Sequence, residues 1–464
     1  MRPLFSPAPS VWRSLRPGFL FLLLALVIAA GVLISKASFI RIGAEATLFG
    51  YPLVIMDVTR ANFESTIGPE NQLHRARQFP PASFKDVVRM NLDTLYTSAF
   101  IDTQKGPWVF DMAANDQRYA VISFMDAWTN VFAAPGSRTT GNAAQTYLLV
   151  SPEWQGTTPP GLTLLRAPTQ IVWLLGRTQT NGAADYPVVH RIQDGLHLQA
   201  LTDWRTGRPD TAQEWQPSQE KPLPPVRQLQ EMNSVVFFQR LALLMKNNPP
   251  AAGDAPMLEK MAQIGVRPGQ PPNWSRLERW SVGLGSWVAE QLVIRKLKEP
   301  ANLQQGWSTP PANLGQYGTD YAVRAGVAMI GLGANLPEDA IYPSARLDAG
   351  GKPLDGSHRY RIHFKPAQRP PVNAFWSLTL YGEDDFVIDN PLQRYALGDR
   401  DPLVTNPDGS LDILLQADAP AEAMRANWLP IKAGNPFLVN ARLYWPQAAL
   451  LKGRWNMPGI ERLD

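Results

Sequence analysis

Two carboxylates stand against the most apolar stretches of the chain. Asp93 lies in "RMNLDTLYTSAFID", where Asn91, Asp93 and Thr94 crowd the start of a strand-like run. Asp126 closes a second run, "AVISFMDAWTNVF", and Trp128 and Asn130 follow it. Two such carboxylates on neighbouring strands could do acid/base work, or hold a divalent ion with Asn91 and Asn130 as further oxygen ligands. The same residue types also cap buried turns, because a carboxylate or amide oxygen accepts backbone N–H groups. The capping reading takes precedence, and the paired-carboxylate reading stands beside it. His74 sits in "NQLHRARQF", where Arg75 and Arg77 disfavour its protonation. Arg138 in "GSRTTG" and Arg177 in "GRTQTNG" suit an anionic group held at a glycine-flanked turn, or a structural salt bridge. Asp93, Asp126 and His74 are therefore the candidate catalytic groups. Arg60, Asn91, Tyr96, Trp128, Asn130, Arg138 and Arg177 are the candidate ligand-binding groups. No metal-ligand set is assigned and the cofactor is unknown.

Other chemistries are excluded by composition. There are no cysteines, so thiolate metal sites, a cysteine nucleophile and a disulfide framework are out. With five histidines, and His358 and His363 at opposite strand parity, a histidine metal centre is disfavoured. No nucleophile elbow, phosphate loop, zinc-protease helix or kinase signature occurs. The formal charge of +4 comes without a basic run, so nucleic acid is not an expected partner.

These residues need elements to position them. The chain has 464 residues, 45% hydrophobic and 18% charged, with 43 prolines; that composition favours a well-cored protein of several domains with many short strands. From about Val87 to Trp173 short apolar runs recur between Gly, Pro, Asn and Asp, at sandwich or barrel spacing. Ala44–Thr59 reads as a helix interrupted by "GYP" at Gly50–Pro52, and Tyr186–Gln199 as a helix. "QPSQEKPLPPV" reads as a stiff, extended linker. "SVVFFQRLALLMKNN" and "RLERWSVGLGSWVAEQLVIRKLKE" have helical periodicity, and the apolar residues of the second fit core burial better than a membrane. Strands return with "YRIHF", "AFWSLTLYG", "FVIDN", "LDILLQ" and "FLVNARLYWP", and "NPDGS" is a hairpin signal. The glycines of "GVAMIGLGANL" read as close packing, and most of the tryptophans as core or interdomain packing.

At the start, Gly18–Ile34 carries no charge and follows Arg13 and Arg16. About 17 residues is the short end of a bilayer span and longer than most signal-peptide cores. The reading is an uncleaved single-pass anchor in the inner membrane, with a cleaved signal as the alternative. The upstream arginines favour a cytoplasmic N-terminus and a periplasmic body.

The quoted motifs also carry a resemblance. "FGYPLVIMDVTR", "FKDVVRMNLDTLYTSAFID", "RYAVISFMDAWTNVFAAPGSRTTG" and "APTQIVWLLGRTQTNG" resemble the bacterial domain of unknown function 1254. "PPVNAFWSLTLYGEDDFVIDNPLQRYALGDRD", "NPDGSLDILLQADAP" and "NWLPIKAGNPFLVNARLYWP" resemble domain of unknown function 1214. The resemblance implies two β-rich domains joined by helices and no established reaction.

The expected architecture is α+β and β-dominated: two β-sandwich-like domains joined by a helical bridge and preceded by one transmembrane helix. The expected boundaries are 1–17 cytoplasmic, 18–36 anchor or signal, 44–205 first domain, 206–227 proline-rich linker, 228–340 helical bridge and 341–464 second domain. The expected function is an envelope protein that binds or processes a small organic or glycan ligand between its domains. Its rivals are a hydrolase-type enzyme using Asp93 and Asp126, and a non-catalytic interaction protein. A reporter that works only in the periplasm, fused after Asp464, is expected to be active. Activity there of a reporter that works only in the cytoplasm would overturn the orientation.

Overall fold

The computed structural model describes residues 21–22, 31, 35–85, 88–209, 215–298 and 303–464. The expected anchor therefore lies almost wholly outside the described residues. The first long element is helix α1, Ala37–Thr66, which runs unbroken through Pro52. Proline removes one donor from the helix ladder, yet Phe49, Leu53, Val54 and Ile55 around it are all buried to 1% exposure or less. Packing on all sides thus overrides the break that "GYP" suggests. Gly50 is part of the reason, because a Cβ there would sit 2.4 Å from the Leu241 side chain. Helix α1 is long and apolar enough to cross a membrane, but 61% of its most apolar window is buried inside the protein. Here it serves as a core helix.

The first sheet unit follows. Its strands are β1 His74–Arg75, β2 Thr94–Asp102, β3 Trp108–Met112, β4 Ala120–Asp126, β5 Val131–Ala133, β6 Gln145–Val150, β7 Thr163–Arg166 and β8 Ile171–Gln179, then, after helix α2 (Tyr186–Asp194), β9 Leu196–Ala200. One sheet has the order β1-β2-β8-β4-β5 and the other β7-β6-β3-β9. Ile101, Phe124 and Leu174 from the first meet Phe110, Tyr147 and Leu198 from the second in one core. Strand β4 is buried along its whole length, because the outer side of its sheet is also covered. That explains why "AVISFMD" reads as a continuous apolar run instead of alternating. The helix expected over Tyr186–Gln199 stops at Asp194. "LHLQA" instead alternates with a period of two and pairs with β3.

Helix α3 (Leu201–Thr206) closes the unit. The proline-rich run is tied to the end of α1: Trp215 Nε1 donates to the Glu64 carbonyl at 2.7 Å and Asn62 Nδ2 to the Leu223 carbonyl at 2.9 Å. Helices α4 (Pro225–Glu231), α5 (Ser234–Asn247), α6 (Ala255–Gln263), α7 (Arg276–Lys298) and α8 (Tyr321–Ile330) then gather around α1. The expected bridge is thus a helical layer with the N-terminal helix at its centre. Helices α1 and α7 run parallel. Lys36 pairs with Glu278 at 3.0 Å, and the Thr47 and Ser286 hydroxyls meet at 2.8 Å.

Short strands β10 (Leu303–Gln304) and β11 (Trp307–Ser308) lead into the second sheet unit, with β12 Ala340–Ile341, β13 Ser344–Ala345, β14 Tyr360–Phe364, β15 Trp376–Gly382, β16 Ala396–Gly398, β17 Leu411–Gln416, β18 Trp428–Pro430, β19 Phe437–Tyr444 and β20 Ile460–Arg462. One sheet runs β10-β11-β13-β19-β15-β16, with β12 also on β19, and the other β18-β17-β14-β20. Both share a core of Tyr360, Ile362, Leu378, Ile413 and Val439. "FVIDN" forms no strand; Val387 makes a single bridge to Tyr381. "NPDGS" is a turn, with Gly409 N–H on the Asn406 carbonyl at 2.9 Å. It joins strands of different sheets and so is not a hairpin. Among the described residues the fold is mixed α+β with four sheets.

The α1–α7 contact is set by small residues. A Cβ on Gly285 would stand 2.1 Å from the Ile40 carbonyl oxygen, a distance that only backbone movement can relieve. Gly285→Ala is expected to cost about 1–3 kcal/mol, read as a fall in melting temperature. Gly253→Ala, whose Cβ would meet nothing nearer than 3.8 Å, serves as the neutral comparison.

Candidate functional site

The polar residues at the start of β2 face the second sheet unit. Asn91 accepts the N–H groups of Asp93 and Thr94 at 2.7 and 3.1 Å and turns the chain into the strand. This leaves the Asp93 carboxylate, 0% exposed, pointing out of its own unit. There it is ion-paired with Arg400, and it accepts the Ser377 hydroxyl at 2.6 Å and the Tyr444 hydroxyl at 3.2 Å. Arg400 lies over the Phe375 ring at 4.1 Å and donates to the Thr180 carbonyl at 2.5 Å. Asn91 Nδ2 reaches the Tyr444 hydroxyl at 3.0 Å.

The network extends along the contact. Arg442, 2% exposed in the middle of β19, donates to the carbonyls of Arg89 and Met90 at 2.9 and 3.2 Å and to the Tyr381 hydroxyl at 2.6 Å. Arg177 lies over the Tyr96 ring at 5.2 Å and donates to Asn335 Oδ1 at 2.5 Å and the Gly333 carbonyl at 2.6 Å. Arg138 grips Asp339 with two bonds, 2.7 and 2.9 Å long. Burial raises the Asp339 carboxyl, and Arg138 pulls it back. Asn91, Asp93, Tyr96, Arg138 and Arg177 are therefore brought together, but as a filled contact in which each cation already has an oxygen partner from the chain.

Asp126 lies elsewhere. Thr94 pairs with Gln179 and Asp126 with Val172, at opposite ends of β8. At the rise of a strand the two carboxylates stand roughly 25 Å apart. They do not share a cleft. Asp126 Oδ1 accepts the N–H groups of Trp128 and Asn130 at 2.9 and 2.8 Å, which fixes the turn into β5. Burial nevertheless pushes its pKa up to about 6, against the bonds from Asn130 and Trp128. Nearby, Arg324 is 2% exposed and surrounded by Phe49, Trp128 and Tyr321 at 5.5, 5.2 and 5.2 Å. Burial holds Arg324 below its ordinary value, while Asp254 and Asp126 act against that. Trp128 Nε1 donates to the Asn248 carbonyl at 3.2 Å and locks the turn onto the helical layer.

His74 and Arg60 form a third, separate group at the end of α1. His74 Nε2 meets the Pro69 carbonyl at 3.0 Å and its ring packs edge-on to Phe63. Burial lowers its pKa, opposed by the Pro69 bond and aided by Arg75. Arg60 pairs with Asp57, Glu64 and Glu70 at 3.2, 2.8 and 3.0 Å.

The partners Arg400, Arg442, Ser377, Tyr444 and Asp339 escaped sequence reasoning. One signal was available: Arg442 interrupts "FLVNARLYWP", and a charge inside an otherwise apolar strand must find a buried partner. A different place offers open space. On the outer face of the β7-β6-β3-β9 sheet, Asp111, Gln145, Thr146, Thr163 and His197 line a hollow of about 510 Å³. Asp111 and His197 stand directly opposite on β3 and β9, and Thr146 donates to Asp111 at 2.7 Å. Sequence alternation puts Asp111 and His197 on the solvent faces of their strands, but nothing local joins positions so far apart in the chain. Among the described residues no group of three or more His, Cys, Asp or Glu is placed to hold a metal ion.

The family model described as "Protein of unknown function (DUF1254)" matches residues 70–200, and that described as "Protein of unknown function (DUF1214)" matches 339–448. No curated protein matches the chain. Among solved structures, the VPA0106 protein from Vibrio parahaemolyticus is similar at 22% identity over 92% of this chain and 100% of that one, with a TM-score of 0.69, which shows a shared fold. A protein from Burkholderia cenocepacia aligns at 13% identity over 95% of this chain and 98% of that one, with a TM-score of 0.43.

The two aspartates should separate on mutation. Asp93→Asn removes the counter-charge of Arg400 and is expected to cost about 3–5 kcal/mol. Asp126→Asn keeps an oxygen for the turn and should be mild. Its pH effect has a definite sign. With its folded pKa raised from 3.8 to about 6, Asp126 favours folding in its protonated form. That contribution is complete below about pH 4 and is lost as the pH rises through about 6, a difference on the order of 3 kcal/mol. Stability of the wild type, measured by denaturant midpoints from pH 4 to 8, should carry this slope and Asp126→Asn should lose it. Equal slopes in both would overturn the assignment.

Proposed function

Because the chain carries a DUF1254 domain followed by a DUF1214 domain, we propose that it is a membrane-anchored envelope protein that binds a small polar ligand on its first sheet unit. Three observations support the reading. The uncharged run Gly18–Ile34 behind Arg13 and Arg16 suits a single-pass anchor with the body outside the cytoplasm. The contact between the sheet units is filled by paired side chains, so the ligand has its place outside that contact. The hollow of about 510 Å³ carries the reading: its volume falls within the usual range of ligand sites, roughly 300–1,000 Å³. Its walls offer a carboxylate, an amide, hydroxyls and an imidazole, a set of donors and acceptors matched to a polyhydroxylated molecule such as a glycan fragment. Its wall has no Phe, Tyr or Trp ring for stacking, so hydrogen bonds would carry most of the recognition.

The test is a ligand screen on the full chain in detergent, by thermal shift with sugars and small organic acids, followed by titration of any hit. Asp111→Asn and His197→Ala are each expected to weaken binding at least tenfold with unchanged melting temperature, since both side chains lie on an outer face. Undiminished affinity in both variants would place the ligand elsewhere and overturn the reading.

A further inference from the structure

Helix α7 is apolar on two sides. Its inner side buries Val282, Ala289 and Val293 at 0, 2 and 6% exposure. On the other side Leu277, Trp280, Trp287 and Leu292 are 38, 53, 59 and 61% exposed. Their spacing, with Leu284 and Val288 half-buried between them, draws one stripe along the helix. A tryptophan buries more apolar surface than any other side chain, and two left half in water on one stripe call for a partner.

The chain itself indicates which partner. The uncharged run ends at Ile34, and two residues later Lys36 is ion-paired with Glu278 at 3.0 Å, two positions before Trp280 at the start of α7. At Lys36 the backbone leaves helical geometry, with φ −113° and ψ 12°, so the α1–α7 pair need not continue along the direction of the preceding run. Arg41, Arg276, Arg279 and Lys296 are exposed around and along the pair, and Arg295 is exposed at the C-terminal end of the stripe itself, where a long basic side chain can reach the headgroups. Tryptophan and leucine on one face with basic residues at the rim is the composition of a helix lying in the headgroup region of a bilayer. A second copy of the chain fits less well. The exposed parts of the four side chains come to on the order of 400 Å², about half of what each partner in a stable protein interface contributes.

We propose that the outer face of α7 rests in the surface of the membrane that holds the N-terminal run, so that the body lies against the bilayer instead of swinging on a tether. This rests on the anchoring reading above. The chain has no cysteine, so single cysteines can carry a spin label in the full chain reconstituted into nanodiscs with anionic lipid. Trp280→Cys, Trp287→Cys, Leu22→Cys in the N-terminal run and Leu392→Cys, 54% exposed on the second sheet unit, would be compared. The readout is collision with dissolved oxygen against collision with a water-soluble nickel chelate. Labels at 280 and 287 are expected to show at least fivefold less nickel access than the label at 392, with oxygen access retained. Nickel access equal to that at 392 would overturn the proposal, and spin–spin broadening at 287 would do so in favour of a second copy. A label at 22 that meets oxygen while those at 280 and 287 meet nickel keeps the anchor and removes only the docking face. A label at 22 in water overturns the anchor itself.

Discussion

The buried charge of Asp93 sets the terms for the joining of the two sheet units. A carboxylate withdrawn from water is costly unless a cation and hydrogen bonds replace the solvent. Each of those partners, namely Arg400, Ser377 and Tyr444, comes from the second unit. Neither unit satisfies the group alone. The first unit must therefore find the second in one register, because a shift of one residue along β15 or β19 would turn Ser377 or Tyr444 away from it. Arg442 applies the same constraint in reverse: it is a cation of the second unit whose acceptors include the carbonyls of Arg89 and Met90 in the first, beside the Thr379 and Tyr381 hydroxyls of its own. Apolar packing around Phe375 and Tyr444 supplies area, whereas the paired charges fix the orientation.

Much of the architecture was legible because it depends on local pattern. The strand runs from "LYTSAFI" to "FLVNARLYWP" and the two sheet units follow from alternation and from turn residues. What was not legible depends on partners distant in sequence. Pro52 should break α1, and does not, because α5, α7 and α8 cover it from positions far along the chain. "LHLQA" looked helical beside "YPVVHRIQD" until β3 gave it a strand to pair with. The polar strand ends illustrate both outcomes. Asp126 is a turn cap, as its neighbours Trp128 and Asn130 suggest within a few residues. Asp93 has the same local setting and a different role, since Arg400 lies about three hundred residues away and no pattern around Asp93 announces it.

The filled contact and the open hollow divide the first unit's work. One sheet is buried on both faces and carries the joining residues. The other is covered on part of its outer face, where Leu201, Trp154 and Trp204 pack on Val109 and Leu148, and beside that cover it presents Asp111, Thr146 and His197 without disturbing the inner core, where Phe110, Tyr147 and Leu198 alternate with them on the same strands. Period-two alternation lets a single strand serve both purposes. Substitutions at Asp111 and His197 are thereby insulated from stability.

The parallel pairing of α1 and α7 has a consequence in time. Helix α1 emerges early in synthesis, and the partner that touches its Gly43, Thr47 and Ile40 positions follows about 240 residues later. At 5–20 residues per second that is a wait of roughly 12–48 s. Throughout it, an apolar helix with no cover of its own must be kept from aggregating. A chain whose first long helix waits for a partner that ends at Lys298 has its vulnerable interval built into the order of its elements, and any factor that shields nascent apolar segments would act on it there.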